Sequence, residues 1–145
     1  MNSESRMTVL VWLLLLFCFE LSAADRFVKS VSCPAGQVII VAEGELEPRS
    51  IGSYSIRLYG APSNGMPADD FLHGLIRPRN GTIRAILFAD LDGDDQKEAI
   101  VTHRNVGTGS FLSADAFKIT GEKLKPFRSF SNLPRDTDPI KELKH

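Results

Sequence analysis

The residues with the clearest capacity for chemistry are four carboxylates spaced along one short acidic segment. They are Asp90, Asp92, Asp94 and Glu98, at positions 1, 3, 5 and 9 of the stretch that starts at Asp90. Calcium takes several oxygen ligands, and alternate carboxylates around a glycine turn can wrap one ion. Four carboxylates without a counter-ion would also repel one another. The spacing therefore predicts a structural calcium ion as one interpretation, with no cofactor required for activity.

A second interpretation of the acidic segment needs no ion. The spacing resembles the calcium loops of integrin-type propeller repeats, but the twelfth position, a bidentate glutamate in EF-hands, is Val101 here. Aspartate side chains in tight turns commonly accept hydrogen bonds from their own backbone. An acidic turn between two strands would carry the same residues, so the sequence leaves both interpretations open.

The second candidate site is the acid-free segment Arg104-Asn-Val-Gly-Thr-Gly-Ser-Phe-Leu-Ser113. Glycines on both sides of Thr108 permit tight turns and let another surface approach the backbone closely. Hydroxyl groups and one aromatic ring suit a protein-binding loop. An ordinary hairpin loop, with the ring folded into the core, is the alternative interpretation. The candidate binding residues of this segment are Arg104, Thr108, Gly109, Ser110 and Phe111.

The third candidate is the hydroxyl-rich segment Glu47-Pro-Arg-Ser-Ile-Gly-Ser-Tyr54, where Ser50 and Tyr54 are the predicted binding residues. A plain surface turn is the alternative. Catalytic patterns are missing from the sequence, because its histidines lack metal-ligand spacing and it has no nucleophile elbow or phosphate-binding loop. The sequence therefore predicts no catalytic residues, and an exported hydrolase that uses scattered acids is a competing hypothesis.

These segments lie between short runs of β-branched and aromatic residues that are separated by Gly, Pro, Asn and Asp. We expect Asn80-Gly81 to form a type I′ turn between two paired strands, since this dipeptide is the strongest short hairpin signal. The pattern favours an all-β, antiparallel β-sandwich or a closed β-barrel, both of which protect edge strands. The predicted strands are 37–42, 54–59, 72–79, 82–88, 98–103, 111–119 and 123–130.

The N-terminus predicts export. Residues 1–24 combine Arg6, an apolar run over 7–19 and Ser22-Ala-Ala24 before the expected cleavage site, which is typical of a signal peptide. The remaining chain divides into one β-sandwich domain, 25–132, and a flexible tail, 133–145, that is rich in charges and prolines. Acidic and basic residues balance after cleavage, so we expect no affinity for nucleic acid or for an anionic membrane.

Cys33 is the cysteine that remains after cleavage, so the predicted mature domain contains no internal disulfide. A buried thiol is the first interpretation, because free cysteines are usually buried. A free reactive thiol and an intermolecular bridge in a homodimer are the others.

The segments 41–59, Phe88-Ala-Asp-Leu-Asp-Gly-Asp94 and Gly107-Thr-Gly-Ser-Phe-Leu-Ser-Ala-Asp-Ala-Phe117 occur in this order behind the signal peptide. Together they resemble the periplasmic inhibitors of invertebrate-type (I-type) lysozyme, over roughly residues 37–119. The resemblance implies a β-sandwich, a periplasmic location and an I-type lysozyme as partner. It also implies no enzymatic activity, because these proteins block the substrate cleft of the lysozyme.

The resemblance also identifies an inhibitory loop, which carries Ser-Gly-x-Tyr in that family. The serine aligns with Thr108, the glycine with Gly109 and the tyrosine with Phe111. Threonine keeps the hydroxyl group, whereas phenylalanine keeps the ring and lacks the phenolic donor. We expect Ser50 to Tyr54 to form a second contact beside this loop. A calcium-stabilised secreted adhesion or carbohydrate-binding module is the alternative function, suggested by the acidic segment.

Overall fold

The computed structural model describes residues 26–145, so the predicted signal peptide 1–24 and its cleavage site lie outside the described residues. The described chain forms eight strands and one short helix. In chain order they are β1 Val28–Ser32, β2 Val38–Glu43, β3 Ile51–Tyr59, β4 Phe71–Asn80, β5 Thr82–Ala89, β6 Glu98–Arg104, β7 Leu112–Thr120, β8 Lys123–Leu133 and α1 Pro139–Leu143.

The strands form two four-stranded sheets of consecutive neighbours, β1-β2-β3-β4 and β5-β6-β7-β8. Every pair of neighbouring strands is antiparallel. The prediction of an all-β, antiparallel β-sandwich is therefore confirmed. Within residues 26–145 no helix has the length and apolar character needed to cross a membrane.

The main core lies between the sheets and follows from strand alternation, which turns every second side chain to the same face. In β3 the residues Tyr54, Ile56 and Leu58 are all fully buried. The second sheet contributes Val101 and Phe117 to the same cluster. The two sheets thus share one hydrophobic interior.

A second apolar cluster covers the opposite face of the second sheet. Ile100 and Ala116 belong to it and alternate along the sequence with core residues Val101 and Phe117. Helix α1 packs here through Leu143, which is fully buried.

Within the segment 133–145, where the sequence predicts a flexible tail, residues 139–143 form this helix and pack on the domain. Asp138 begins the helix by accepting a hydrogen bond from the Ile140 amide at 2.9 Å. Arg128 of β8 donates to the Leu143 carbonyl oxygen.

The predicted hairpin at Asn80-Gly81 is wrong, although both of its strands exist. β4 and β5 belong to different sheets, so the dipeptide joins the sheets instead of pairing the strands. Of the two residues, Gly81 alone has a positive φ, 92°, whereas a type I′ turn needs two. A Cβ atom at Gly81 would lie 1.9 Å from the Arg104 carbonyl oxygen, so glycine allows the crossover to lie directly against the end of β6.

The topology gives the sandwich two distinct ends. We call one the loop end, formed by the β2–β3 loop 44–50, the crossover at Gly81 and the β6–β7 loop 105–111. We call the other the acidic end, formed by the connections 33–37, 60–70, 90–97 and 121–122. The residues that the sequence predicts to bind a protein lie at the loop end or in the strands beside it. The predicted calcium ligands lie at the acidic end.

Candidate functional site

The β6–β7 loop is a closed, exposed loop whose shape is fixed by its own backbone. The Asn105 amide donates to the Phe111 carbonyl oxygen at 3.0 Å and closes the loop at its base. The Ser110 amide donates to the Gly107 carbonyl oxygen at 3.1 Å, which makes a tight turn around Thr108 and Gly109. Both tip residues are exposed. The loop therefore presents a hydroxyl group and a bare backbone to solvent.

Phe111 lies over the tip of this loop and does not fold into the core. Its ring contacts the backbone at Gly109, because a Cβ atom added there would lie 2.3 Å from the ring atom Cε2. The side chain remains 43% exposed. Ser110, between them, adopts a left-handed φ of 44° and is half-buried. Glycine at position 109 is thus required for the position of the Phe111 ring.

Arg104 lies at the base of the loop. Its side chain is half-buried, and Nη2 donates to the Arg135 carbonyl oxygen at 3.3 Å. The guanidinium therefore reaches toward the segment after β8, and the Arg104 carbonyl oxygen lies against Gly81. Arg104 supports the loop base, while Thr108 and Phe111 form its exposed part.

Ser50 is linked to the base of this loop through the crossover between the sheets. The Gly81 amide donates to the Ser50 carbonyl oxygen at 2.8 Å, and Gly81 lies against Arg104 on its other side. The Ser50 side chain is exposed. Ser50 and the base of the β6–β7 loop therefore flank the same glycine.

Tyr54 is the predicted binding residue that the structure removes from the surface. Strand alternation places it with Ile56 on the inner face of β3, where it is fully buried. Its hydroxyl group donates to Asp115 Oδ2 at 2.7 Å, across the sandwich. The expectation that Tyr54 contacts a partner is thus wrong, and its role is to join the two sheets.

Asp115 is the centre of a buried polar cluster that the sequence analysis missed. Besides Tyr54, the Ser129 hydroxyl donates to Asp115 Oδ1 at 2.6 Å, and His103 Nε2 lies 3.6 Å from Oδ2. His103 Nδ1 lies 3.1 Å from the Asn80 carbonyl oxygen, next to the crossover. A single aspartate within the otherwise apolar and small-residue run of β7 was the available sequence signal.

The ionisation of this cluster follows from burial and hydrogen bonding. Burial raises the pKa of Asp115, but the bonds from His103, Ser129 and Tyr54 outweigh it and hold that pKa below its usual value. Burial, followed by the charge of Asp115, raises the pKa of the Tyr54 hydroxyl. The cluster therefore contains an ionised aspartate and a neutral tyrosine at neutral pH.

At the acidic end, the structure brings three of the four predicted calcium ligands together. Oxygen atoms of Asp90, Asp92 and Glu98 lie within 4.8 Å of one another. Asp94 turns instead toward Lys118, whose Nζ lies 3.1 Å from Asp94 Oδ2 and also donates to Asp92. The ammonium group of Lys118 thus contacts two of the four predicted calcium ligands.

The acidic loop also uses its carboxylates to bind its own backbone. Asp90 accepts from the amides of Gly93 at 2.7 Å and Asp95 at 3.1 Å, and these bonds hold the pKa of Asp90 below its usual value. Glu98 is buried and accepts from the Leu91 amide at 2.8 Å. Burial raises the pKa of Glu98. These hydrogen bonds are the contacts that the acidic-turn interpretation predicts.

A cavity of about 830 Å³ lies next to the acidic loop. Parts of the connections 33–37, 90–97 and 121–122 line it, together with the end of β7. Cys33 lies in its wall and is itself buried, so the first interpretation of this thiol is confirmed. Gln37 Nε2 donates to the Gly121 carbonyl oxygen at 2.9 Å and joins two of the lining connections.

Comparison with known proteins gives a consistent result. The family described as periplasmic lysozyme inhibitor of I-type lysozyme matches residues 25–145. The crystal structure of PliI-Ah, a periplasmic lysozyme inhibitor of I-type lysozyme from Aeromonas hydrophila, is 42% identical, covering 81% of this chain and 98% of that chain with a TM-score of 0.76. Aeromonas hydrophila PliI in complex with Meretrix lusoria lysozyme is also 42% identical, covering 82% and 96%, with a TM-score of 0.76. Comparison with curated proteins gave no match.

Proposed function

The chain belongs to the family of periplasmic lysozyme inhibitors of I-type lysozyme, and on that premise we propose that it blocks such an enzyme by inserting the β6–β7 loop into the substrate cleft. It acts as a binding protein without enzymatic activity, and a cleaved signal peptide delivers it to the periplasm. I-type lysozyme is its partner.

The observation that carries this proposal is the exposed, self-supported loop 105–111. A glycosidase cleft generally contains two carboxylates and accepts a sugar chain rich in hydroxyl groups. A loop without acidic residues, with the Thr108 and Ser110 hydroxyls and exposed backbone amides, is complementary to such a cleft. Because its turn is closed by internal hydrogen bonds, little conformational entropy is lost when it binds.

Phe111 and Thr108 define how this inhibitor differs from the Ser-Gly-x-Tyr pattern of the inhibitory loop. The half-exposed Phe111 ring supplies apolar contact but no phenolic donor, which removes about 1 kcal/mol of hydrogen bonding to the enzyme. Thr108 retains the hydroxyl group at the tip. Arg104 holds the base, and Ser50 lies beside it across Gly81.

The test is a lytic assay of residues 25–145 against invertebrate-type, chicken-type and goose-type lysozymes. We expect stoichiometric inhibition of the invertebrate-type enzyme. Thr108→Ala and Phe111→Ala should each weaken inhibition by about 30-fold or more, as expected when a central interface residue is truncated. Wild-type protein that inhibits none of the three enzymes would contradict the proposal.

Two substitutions at the acidic end serve as matched controls. Phe71 is exposed by 58%, comparable with Phe111, and Thr120 is exposed like Thr108. Phe71→Ala and Thr120→Ala should leave inhibition within a factor of two of wild type. If the two control variants lost as much inhibition as Thr108→Ala and Phe111→Ala, the β6–β7 loop would not be the contact surface.

A further inference from the structure

We propose that His103 is a positioning residue for the β6–β7 loop, and that the imidazolium form of its ring holds the loop in the conformation that binds lysozyme. This role rests on the proposed function and adds a pH dependence to it. Inhibition should strengthen as pH falls through the range in which histidine side chains gain a proton. His103 acts without touching the enzyme, because it is 6% exposed.

His103 lies inside the sandwich, directly before the base of the β6–β7 loop. Strand alternation places it on the same face of β6 as Val101, which belongs to the main core. Arg104 follows it, and the amide of the next residue, Asn105, closes the loop on the Phe111 carbonyl oxygen at 3.0 Å. A displacement of His103 therefore reaches the closing residue of the loop through one residue of chain.

Both ring nitrogens of His103 face oxygen atoms that accept hydrogen bonds. Nδ1 lies 3.1 Å from the Asn80 carbonyl oxygen, and Nε2 lies 3.6 Å from Asp115 Oδ2. Asp115 is ionised at neutral pH, so its carboxylate has no proton to donate. A neutral imidazole carries one N–H group and can satisfy one of these acceptors, whereas the imidazolium carries two. The geometry therefore fits the protonated ring, because the neutral ring leaves a bare nitrogen against one of the two oxygen atoms.

The contact between His103 and Asn80 crosses the sandwich at the crossover. Asn80 ends β4 in the first sheet, whereas His103 belongs to the second sheet. Gly81 follows Asn80 and lies against the Arg104 carbonyl oxygen, where a Cβ atom would come within 1.9 Å. The ring of His103 thus binds the residue just before the glycine that supports the base of the loop. Loss of this contact frees the crossover to move relative to β6, and the loop base with it.

Charged groups from three strands lie on the inner surface near His103. Strand pairing places Glu43 and Arg77 on either side of Tyr54, whose ring centroid lies 6.3 Å from that of His103. The charged groups are Asp115 on β7, Glu43 on β2, and Arg77 and Arg79 on β4.

These charges are not equivalent for the ring of His103. Glu43 accepts from the Ile83 amide at 2.6 Å, and Arg79 donates to backbone carbonyl oxygens of the β2–β3 loop and the crossover. Asp115 is the charged group in direct contact with the ring, and an adjacent carboxylate stabilises an imidazolium. β3, β5 and β8 face His103 with the uncharged side chains of Tyr54, Ile83 and Ser129. Uptake of a proton by the ring thus strengthens its contacts with both sheets.

The first test needs no enzyme. In a pH titration of wild type followed by nuclear magnetic resonance, the amide signals of Thr108 and Gly109 should shift with the same midpoint as the ring signals of His103. His103→Gln should abolish this transition in the loop, because glutamine keeps a donor for the Asn80 carbonyl oxygen but cannot gain a proton. His73→Gln is the matched control, since His73 is half-buried near the acidic end, and it should leave the loop transition in place.

The second test measures the Kd of the complex with invertebrate-type lysozyme by calorimetry, from about pH 5 to about pH 8, where histidines titrate. The ratio of the variant Kd to the wild-type Kd at each pH cancels the titration of the enzyme itself. His103→Leu removes both donors and should raise Kd about fivefold or more, as expected for a residue that couples to a site without touching it. His103→Gln should match wild type at the upper end of the range and bind about fivefold more weakly at the lower end.

Urea unfolding at both ends of the pH range identifies the variants that are folded, and His103→Gln decides the question if His103→Leu fails to fold. A folded His103→Gln whose loop signals and Kd follow pH as in wild type would overturn the positioning role, even with inhibition by wild type intact. Wild type that shows the loop transition but binds no invertebrate-type lysozyme would overturn the proposed function and leave the coupling of His103 to the loop supported. Loss of the transition together with a pH-dependent loss of affinity supports both.

Discussion

The two ends of the sandwich use their charged residues in opposite ways. At the loop end, Arg79 and Glu47 turn toward the protein and fix the backbone, which leaves apolar and hydroxyl side chains facing solvent. At the acidic end, carboxylates face solvent and are neutralised by Lys118 or by amides of their own turn. The comparison shows that charged side chains support the backbone at both ends, and that the loop end presents the exposed Leu46 and Phe111 side chains beside that supported backbone.

This difference predicts unequal sensitivity to substitution. Buried groups at the loop end hold separate sheets together, so their removal leaves buried partners unsatisfied. The acidic loop is a local turn whose groups regain water when a partner is lost.

The largest difference is expected between two glycines with positive φ. Gly81 at the loop end has φ 92°, and a Cβ atom there would lie 1.9 Å from the Arg104 carbonyl oxygen. Gly93 at the acidic end has φ 80°, and its Cβ would meet no atom of the described residues within 4 Å. Gly93→Ala should cost about 1 kcal/mol of stability from the left-handed backbone alone. Gly81→Ala should cost about 3 kcal/mol or more, because a backbone clash adds to that strain.

Urea unfolding of the two variants measures this contrast. Equal midpoints for Gly81→Ala and Gly93→Ala would show that the crossover can move away from β6 at little cost. The inhibition assay adds a second readout, since Gly81→Ala should also weaken inhibition by displacing the loop base, whereas Gly93→Ala should not.

The next effect concerns two buried carboxylates whose pKa values shift in opposite directions. The pKa of Asp115 lies below its usual 3.8, so its stabilising effect is complete above that value and is lost as pH falls through the lower folded pKa. Asp115→Asn should cost about 2 kcal/mol at neutral pH, because two hydroxyl donors lose a charged acceptor. The pKa of Glu98 lies above 4.5, so its contribution is complete below that value and is lost as pH rises.

Unfolding measured from pH 3 to pH 7 separates these cases. The stability advantage of wild type over Asp115→Asn should grow as pH rises from 3, whereas its advantage over Glu98→Gln should shrink. Tyr54→Phe is the control for Asp115, because it removes one donor and keeps the ring. If the free energy of unfolding of the two carboxylate variants changed with pH in the same way, the pKa values of Asp115 and Glu98 would not be shifted in opposite directions.

A smaller effect is expected from Lys118 at the acidic end, where it also tests the proposal of a structural calcium ion. Its ammonium donates to Asp92 and lies 3.1 Å from Asp94, and these bonds raise the pKa of Lys118 to about 12. Calcium would have to displace this cation. Lys118→Met should therefore change stability only slightly without calcium, because ion pairs that reach solvent contribute little.

Thermal unfolding with and without calcium chloride measures the competition. We expect Lys118→Met to gain a larger calcium-dependent rise in Tm than wild type, since any ligand that binds the folded state alone stabilises it. A rise of equal size in both proteins would show that Lys118 does not compete for the site. No rise in either protein would favour the acidic-turn interpretation and leave the domain without a metal.

Most strands could be predicted from the sequence, because the alternation of apolar and polar residues and the turn residues between strands are local signals. β1 was missed, since Val28–Ser32 has only two apolar residues and its side chains are largely exposed at a sheet edge. The same alternation that located β3 also places Tyr54 inside with Ile56 and Leu58. Its assignment to the binding surface went wrong because the hydroxyl-rich loop before it was given more weight than the strand pattern.

Long-range contacts explain the remaining errors. Asn80-Gly81 is a strong hairpin signal, but close packing of Gly81 against Arg104, far along the chain, decides its conformation. Arg79 reaches Arg49 across 30 positions of sequence, and no local pattern marks an arginine as buried. The β6–β7 loop was predicted to be the inhibitory loop from resemblance to a family. Its exposure and internal hydrogen bonds were established by the fold.

The smallest effect is expected for Cys33, which is buried in the wall of the cavity at the acidic end. Burial raises the pKa of its thiol to about 11, so the reactive thiolate is much rarer at pH 8 than in an ordinary exposed cysteine. We expect slow labelling by a thiol reagent in the native protein and rapid labelling in urea. Non-reducing electrophoresis should show monomers, because a disulfide-bridged homodimer would require the turn at 33–37 to open. Rapid native labelling, or a dimer that reductant dissolves, would show that the acidic end is more mobile than the loop end and would weaken the contrast between them.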